Sequence, residues 1–112
     1  MTFLEEYKSK LITAEKAASL VKSGDHIAYG YFNLFPADFD KALSKRAGEP
    51  NLKDVTIDAA GSVRVPEVVK NDPDLKTFYY ISAHYSGVDR KFGDLNRISY
   101  HITQYHDLWK IR

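Results

Sequence analysis

Apolar residues along this chain alternate between helical and strand-like spacing, and the switches are marked by turn residues. Behind Thr13, a good N-cap, Ala14, Ala17, Ala18 and Val21 recur at helical intervals; Lys22 and Gly24 close the segment, the cation where the helix dipole favours it. His26 to Gly30 reads as a short strand, followed by the aromatic turn Tyr31-Phe32-Asn33-Leu34-Phe35. Pro36 opens a second helix at the position where its missing N–H is no loss. Phe35, Phe39, Ala42 and Leu43 form the inner stripe of that helix, and Lys45, Arg46 and Gly48 stop it. Val55 to Ala60 predicts a second strand, broken by Gly61-Ser62, and Pro66 and Glu67 start a short helix with Val68 and Val69 inward. Asn71-Asp72-Pro73-Asp74 is a turn by composition. Thr77 to Ser82 predicts the third strand and Ile98 to Ile102 the fourth, with Ser99, His101 and Thr103 on its less apolar face. Strands alternating with helices predict an α/β fold: an open, mainly parallel sheet with helices on both faces.

One stretch departs from this rhythm. Tyr79-Tyr80-Ile81-Ser82 begins like a buried strand, then runs into Ala83-His84-Tyr85-Ser86-Gly87-Val88-Asp89-Arg90-Lys91-Phe92. A core has little use for so many hydrogen-bonding groups, since each buried polar atom needs a partner. The expectation is a binding loop at the end of a strand. Gly30 to Asn33 and Gly61-Ser62 follow the first two strands in the same way. In an open parallel sheet, ligands bind beyond the carboxyl ends of the strands, so all three loops are expected on one edge. Glycines let backbone N–H groups approach a ligand, while Asn, Ser and His orient it. Gly30, Phe32, Asn33, Gly61, Ser62, His84 and Ser86 are the candidate substrate-binding residues. Asn33 and Ser62 are the expected hydrogen-bond donors to a ligand at that edge. His84 either faces the ligand or bonds its ring to nearby backbone. Arg90 is expected to pair locally with Asp89 or Asp94, with a bound ligand as its alternative partner.

Composition narrows the classes. The chain has 112 residues, one domain's worth, with 44% hydrophobic and 28% charged residues, as in an ordinary globular chain. A net charge of +1 with mixed signs argues against a nucleic-acid or anionic-membrane surface. Phe78-Tyr79-Tyr80 lacks the glycine-rich flanks of an RNA-stacking strand and is expected in the core or on a sheet face. The absence of cysteine excludes disulfides, thiolate metal sites and cysteine nucleophiles, and a cytoplasmic setting is expected. No apolar run approaches the ~20 residues of a membrane span. His101 and His106 lack a third ligand at sensible spacing, so no metal site is expected. The tail from His106 through Trp109 to Arg112 carries no cap or stop signal, and the chain is expected to be a fragment of something larger.

An ordered series of short motifs also carries a resemblance. Tyr7-Lys8-Ser9-Lys10, Ser23-Gly24-Asp25, Tyr29-Gly30-Tyr31-Phe32-Asn33, Asp40-Lys41-Ala42-Leu43, Leu52-Lys53-Asp54-Val55, Val65-Pro66-Glu67-Val68 and His84 to Lys91 resemble, in order, the start of the acetyl-CoA hydrolase/transferase family. The likeness is strongest to its 4-hydroxybutyrate and butyryl-CoA:acetate CoA-transferases and runs to about Ile102. It implies that residues 1–112 are the N-terminal part of a CoA-transferase α/β domain, without the C-terminal catalytic domain. It further implies acyl-CoA and a short carboxylate (acetate, butyrate or 4-hydroxybutyrate) as substrates. No permanently bound cofactor is implied; the C-terminal half and a homo-oligomer of the full-length protein are the implied partners. In that family a glutamate attacks the acyl-CoA thioester and becomes a glutamyl-CoA thioester; it lies in the C-terminal domain with a glycine-rich loop. Glu5, Glu6, Glu15, Glu49 and Glu67 match no such nucleophile, Glu67 sitting instead where a helix start favours an anion, so no catalytic residue is assigned within this chain. The rival readings are an acetyl-CoA hydrolase, a sugar-phosphate isomerase on a similar sheet, for which Gly61-Ser62 is only a thin phosphate turn, and a non-catalytic ligand-binding or regulatory domain.

Overall fold

The computed structural model describes residues 1–101 and Asp107. Ile102, His106 and the tail with Trp109 fall outside the described residues. The elements are α1 (Phe3–Lys10), α2 (Ala14–Ser19), β1 (His26–Ala28), α3 (Ala37–Ser44), β2 (Val55–Ala59), α4 (Glu67–Asn71), β3 (Phe78–Ser82), α5 (Gly87–Gly93) and β4 (Ser99–Tyr100), with one 3₁₀ turn at Phe32–Leu34. The four strands form one sheet in the order β1-β2-β3-β4, all parallel. The α/β class and the parallel sheet expected from the sequence are therefore present. Two helices were not expected: α1, started by a Thr2/Glu5 capping box, and α5, in the stretch read as a polar loop.

Strands laid down in sequential order by right-handed crossovers put their helices on the same side of the sheet. Burial follows that rule. Val55, Ile57 and Ala59 stand beside Phe78, Tyr80 and Ser82 in register, and all six are buried. The alternate residues Thr56, Asp58 and Ile81 are half-buried, and Tyr79 is exposed. α3 packs between α2 and α4 over the buried face. Helices on both faces were expected; the strand residues alternate between one fully buried face and one half-buried to exposed face. Each Val, Leu or Ile side chain in that core contributes about 1.5–3 kcal/mol relative to exposure.

Polar side chains join the layers. Arg46 donates from Nη1 to the carbonyls of Ala18 and Val21 at 2.7 and 2.8 Å, so the residue expected to stop α3 also caps the end of α2. Asp72, in the predicted turn, accepts from the backbone N–H groups of Lys76, Thr77 and Phe78 and aims the chain into β3. Asp40 does the same for α4. Its Oδ2 accepts from Glu67 N at 2.6 Å, and its Oδ1 accepts from Tyr29 Oη at 3.0 Å and, more loosely, from Val68 N. Glu67 is at the helix start as expected, but the cap comes from α3.

Burial is the largest influence on the Asp40 carboxyl and raises it above its ordinary 3.8, although its hydrogen bonds pull the other way. The native state therefore keeps this proton to higher pH than the unfolded chain. Stability linked to it is present in acid and lost as pH rises through the raised value. Asp40→Asn places an NH₂ against a backbone donor and should destabilise the protein at neutral pH by about 1–3 kcal/mol in urea unfolding. The gap between wild type and variant should narrow as pH rises from 3.8. A variant with an unchanged urea midpoint would show that the cap contributes nothing.

Candidate functional site

The loops after β1, β2 and β3 meet at one edge of the sheet, as expected. Phe32 N donates to the Ala60 carbonyl at 3.1 Å, and Gly61 N donates to the His84 carbonyl at 2.7 Å. The Phe32 ring lies against Gly61 and makes an edge-on contact with the His84 ring, centroids 5.9 Å apart. Gly61 has φ +61°, and a side chain there would collide with that ring, so this turn requires glycine for both conformation and space. Gly30 is half-buried beneath Leu34.

A buried carboxylate holds the second and third loops together. Asp89, on α5, is fully buried, and its Oδ2 accepts from Ser62 N at 3.0 Å, Ser86 N at 3.0 Å and Ser82 Oγ at 3.1 Å. Ser86 Oγ in turn accepts from Asp89 N at 3.2 Å, completing a capping box. Oδ1 of Asp89 has no hydrogen-bond partner among the described residues. Ser62 Oγ lies 3.0 Å from Tyr80 Oη, and burial pushes the Tyr80 phenol up, so it remains a neutral hydroxyl.

The candidate residues thus divide into two groups. Ser62, only 3% exposed, and Ser86 direct their hydroxyls into the fold. Asn33 and His84 are exposed, Asn33 beside Phe32 and the His84 ring in contact with it. The alternative in which the His84 ring bonds to backbone is not what holds the loop; its carbonyl does that, accepting from Gly61 N at 2.7 Å. The expectation that a core has no use for this polar density is corrected. Part of the density is internal, and the residue at its centre is Asp89, read from the sequence only as a surface partner of Arg90. The signal that could have found it is Ser86-x-x-Asp89, a capping-box pattern.

Beside this edge an open groove of about 330 Å³ is lined by His84, Tyr85, Arg90 and Tyr100. Tyr85 Oη donates to the Ile98 carbonyl at 2.6 Å, and its ring stands 5.0 Å from that of Tyr100. Among the described residues Arg90 forms no ion pair with Asp89 or Asp94, contrary to the local pairing expected. No cluster of three His, Asp or Glu side chains suited to a metal occurs among the described residues; His106 falls outside them. No described helix is long and apolar enough to cross a membrane.

In open parallel α/β sheets ligands bind beyond the carboxyl ends of the strands, the edge at which these loops gather. No family model matches the chain. It is 44% identical over 104 residues, 93% of its length, to the probable butyrate:acetyl-CoA coenzyme A-transferase of Syntrophomonas wolfei. It is 43% identical over 93 residues to the butyryl-CoA:acetate CoA-transferase of Anaerostipes caccae. The chain therefore resembles CoA-transferases across nearly all its length, as the motif series implied. It spans about a quarter of those relatives, 23% and 20%. In fold it matches RipA from Yersinia pestis with a TM-score of 0.76, and a RipA point mutant with 0.78, each covering 100% of this chain at 22% identity and 28% and 27% of the RipA chains.

Removing the latch should disconnect the loops. Asp89→Ala strands three donors and is expected to lower stability by about 3 kcal/mol or more in chemical denaturation. Gly61→Ala should cost about 1–2 kcal/mol and displace the Phe32 ring, which loss of the ring-current shift on His84 would report by NMR. Loss of stability below ~0.5 kcal/mol in both would refute the latch.

Proposed function

We propose that this chain is the N-terminal, substrate-facing part of a cytoplasmic CoA-transferase that moves coenzyme A between an acyl-CoA and a short carboxylate such as acetate or butyrate. The observation that carries the reading is the junction of Phe32, Gly61 and His84 at one sheet edge, in a chain 44% identical to a probable butyrate:acetyl-CoA CoA-transferase. Exposed Asn33 supplies an amide donor and acceptor to the substrate, and exposed His84 a ring N–H. Phe32 and the glycine turns form an apolar, close-approach wall for a short acyl chain. Ser62, Ser82, Ser86 and Asp89 keep that wall in place from behind.

In the proposed reaction a glutamate from outside this chain attacks the acyl-CoA carbonyl, the thiolate leaves, and an acyl–glutamyl anhydride forms. The thiolate then attacks the glutamyl carbonyl, releasing the first carboxylate and leaving a glutamyl-CoA thioester. The acceptor acid runs these steps in reverse, so no net hydrolysis occurs. This chain contributes binding and orientation. The C-terminal half and further copies of the full-length protein are its proposed partners.

The test is exchange of CoA between acetyl-CoA and butyrate or 4-hydroxybutyrate by the full-length gene product. Asn33→Ala and His84→Ala should each raise the carboxylate KM or lower kcat by about tenfold, the scale of one lost hydrogen bond to a charged group. Absence of exchange in the wild-type protein would sink the transferase reading, and free CoA released without an acceptor acid would replace it with a hydrolase. Unchanged kinetics in both variants would remove the two residues from the site.

A further inference from the structure

The groove between α5 and β4 differs in charge from the rest of the edge. Among the described residues its lining is His84, Tyr85, Arg90 and Tyr100: one guanidinium, one imidazole and two phenol rings, with no carboxylate among them. Asp89, the acid next in sequence to Arg90, is fully buried, faces three serines and forms no ion pair with the guanidinium. Asp94 contributes a backbone N–H to the Arg90 carbonyl, and no ion pair joins the two side chains. Among the described residues the Arg90 side chain has no hydrogen bond to any group, in contrast to Arg46 and Arg97, which are both committed to backbone carbonyls. None of its five N–H donors, arranged in a planar fork, is taken by a group among the described residues, and that fork suits an oxyanion.

We propose that this groove is an oxyanion subsite in which the Arg90 guanidinium takes a phosphate or carboxylate group in a bidentate grip. The His84 ring sits at the end of the groove shared with the Phe32–Gly61 junction, so a ligand held by Arg90 extends toward the acyl wall. The paired rings of Tyr85 and Tyr100 form a flat apolar flank, which suits a ligand whose anionic group is attached to a ring or chain. At about 330 Å³ the groove accommodates one such group and not a whole coenzyme. An oxyanion site stands on this geometry alone. That the anion is either a phosphate of the CoA nucleotide or the carboxylate of the acid rests on the transferase reading above.

The probes are inorganic phosphate, adenosine 3′,5′-bisphosphate and butyrate, each titrated into the full-length protein at low ionic strength and followed by NMR. The shifts of the Arg90 Nε–H and the His84 ring are the readouts. Binding should weaken about tenfold in Arg90→Gln, the scale of a charge-assisted hydrogen bond, and fall with added salt. A matching melting temperature in that variant shows that the fold is intact. If bisphosphate alone depends on Arg90, the groove holds the nucleotide; if butyrate alone does, it holds the acid; if all three do, it is a general oxyanion site. Affinities equal in wild type and Arg90→Gln, or shifts that leave Arg90 and His84 unmoved, overturn the proposal. CoA exchange by the same two proteins separates it from the functional reading. A wild type that binds through Arg90 but does not exchange CoA refutes the transferase and keeps the subsite; one that exchanges with unaltered anion binding in Arg90→Gln refutes the subsite alone.

Discussion

The second and third loops at this edge depend on one buried carboxylate, and the first loop packs against them. Asp89 has no cation beside it among the described residues, and the desolvation of its carboxylate is offset by hydrogen bonds converging on Oδ2. Bonds to a charged group are worth roughly 1.5–3 kcal/mol each, so three of them outweigh a loop-ordering entropy of 1–2 kcal/mol per residue over a short stretch. Their donors come from the turn after β2, the last residue of β3 and the residue before α5. Ordering any one of these segments therefore helps to order the others. The α5 N-terminus adds backbone N–H groups of the same polarity.

That latch carries more weight here than in many open sheets. Ligands in such folds usually sit where the strand order reverses and neighbouring loops diverge to leave a crevice. The four described strands run in simple sequence, so no reversal opens a crevice among them. Adjacent loops in such an order are packed side by side. Space for a ligand must then come from loop shape, which the aromatic 3₁₀ turn, the glycine turn and the α5 entry supply.

The sequence was legible where periodicity and turn chemistry agreed. The core strands Val55–Ala59 and Phe78–Ser82 were placed within a residue, and the inner stripe of α3 was read correctly because Ala42 and Leu43 repeat the helical spacing. The meeting of the three loops was also legible, since strand ends in a parallel sheet share an edge. Partner choice was not. Side chains such as Ser62 and Ser86 look the same in sequence whether they face a ligand or a buried carboxylate. α1 was missed because its pattern buries nothing, and α5 because Ser, Gly and Asp signal a turn as readily as a helix start.

The left-handed residues make the last link between packing and use. Phe32 holds φ +50°, a conformation that disfavours an aromatic residue by roughly 1–2 kcal/mol, and Gly61 holds φ +61° where no such penalty exists. The two are in contact, the strained residue placing its ring on the unstrained one. A side chain at residue 61 would remove the seat for that ring, and a relaxed Phe32 would no longer reach it. The Phe32 N–H to Ala60 and the ring contact with His84 supply the offsetting energy. A glycine or asparagine at residue 32 would relieve the strain but would lose the ring that packs on Gly61 and His84, so the strained conformation is retained for what the ring touches. In the proposed transferase that ring would be the apolar surface offered to an acyl chain.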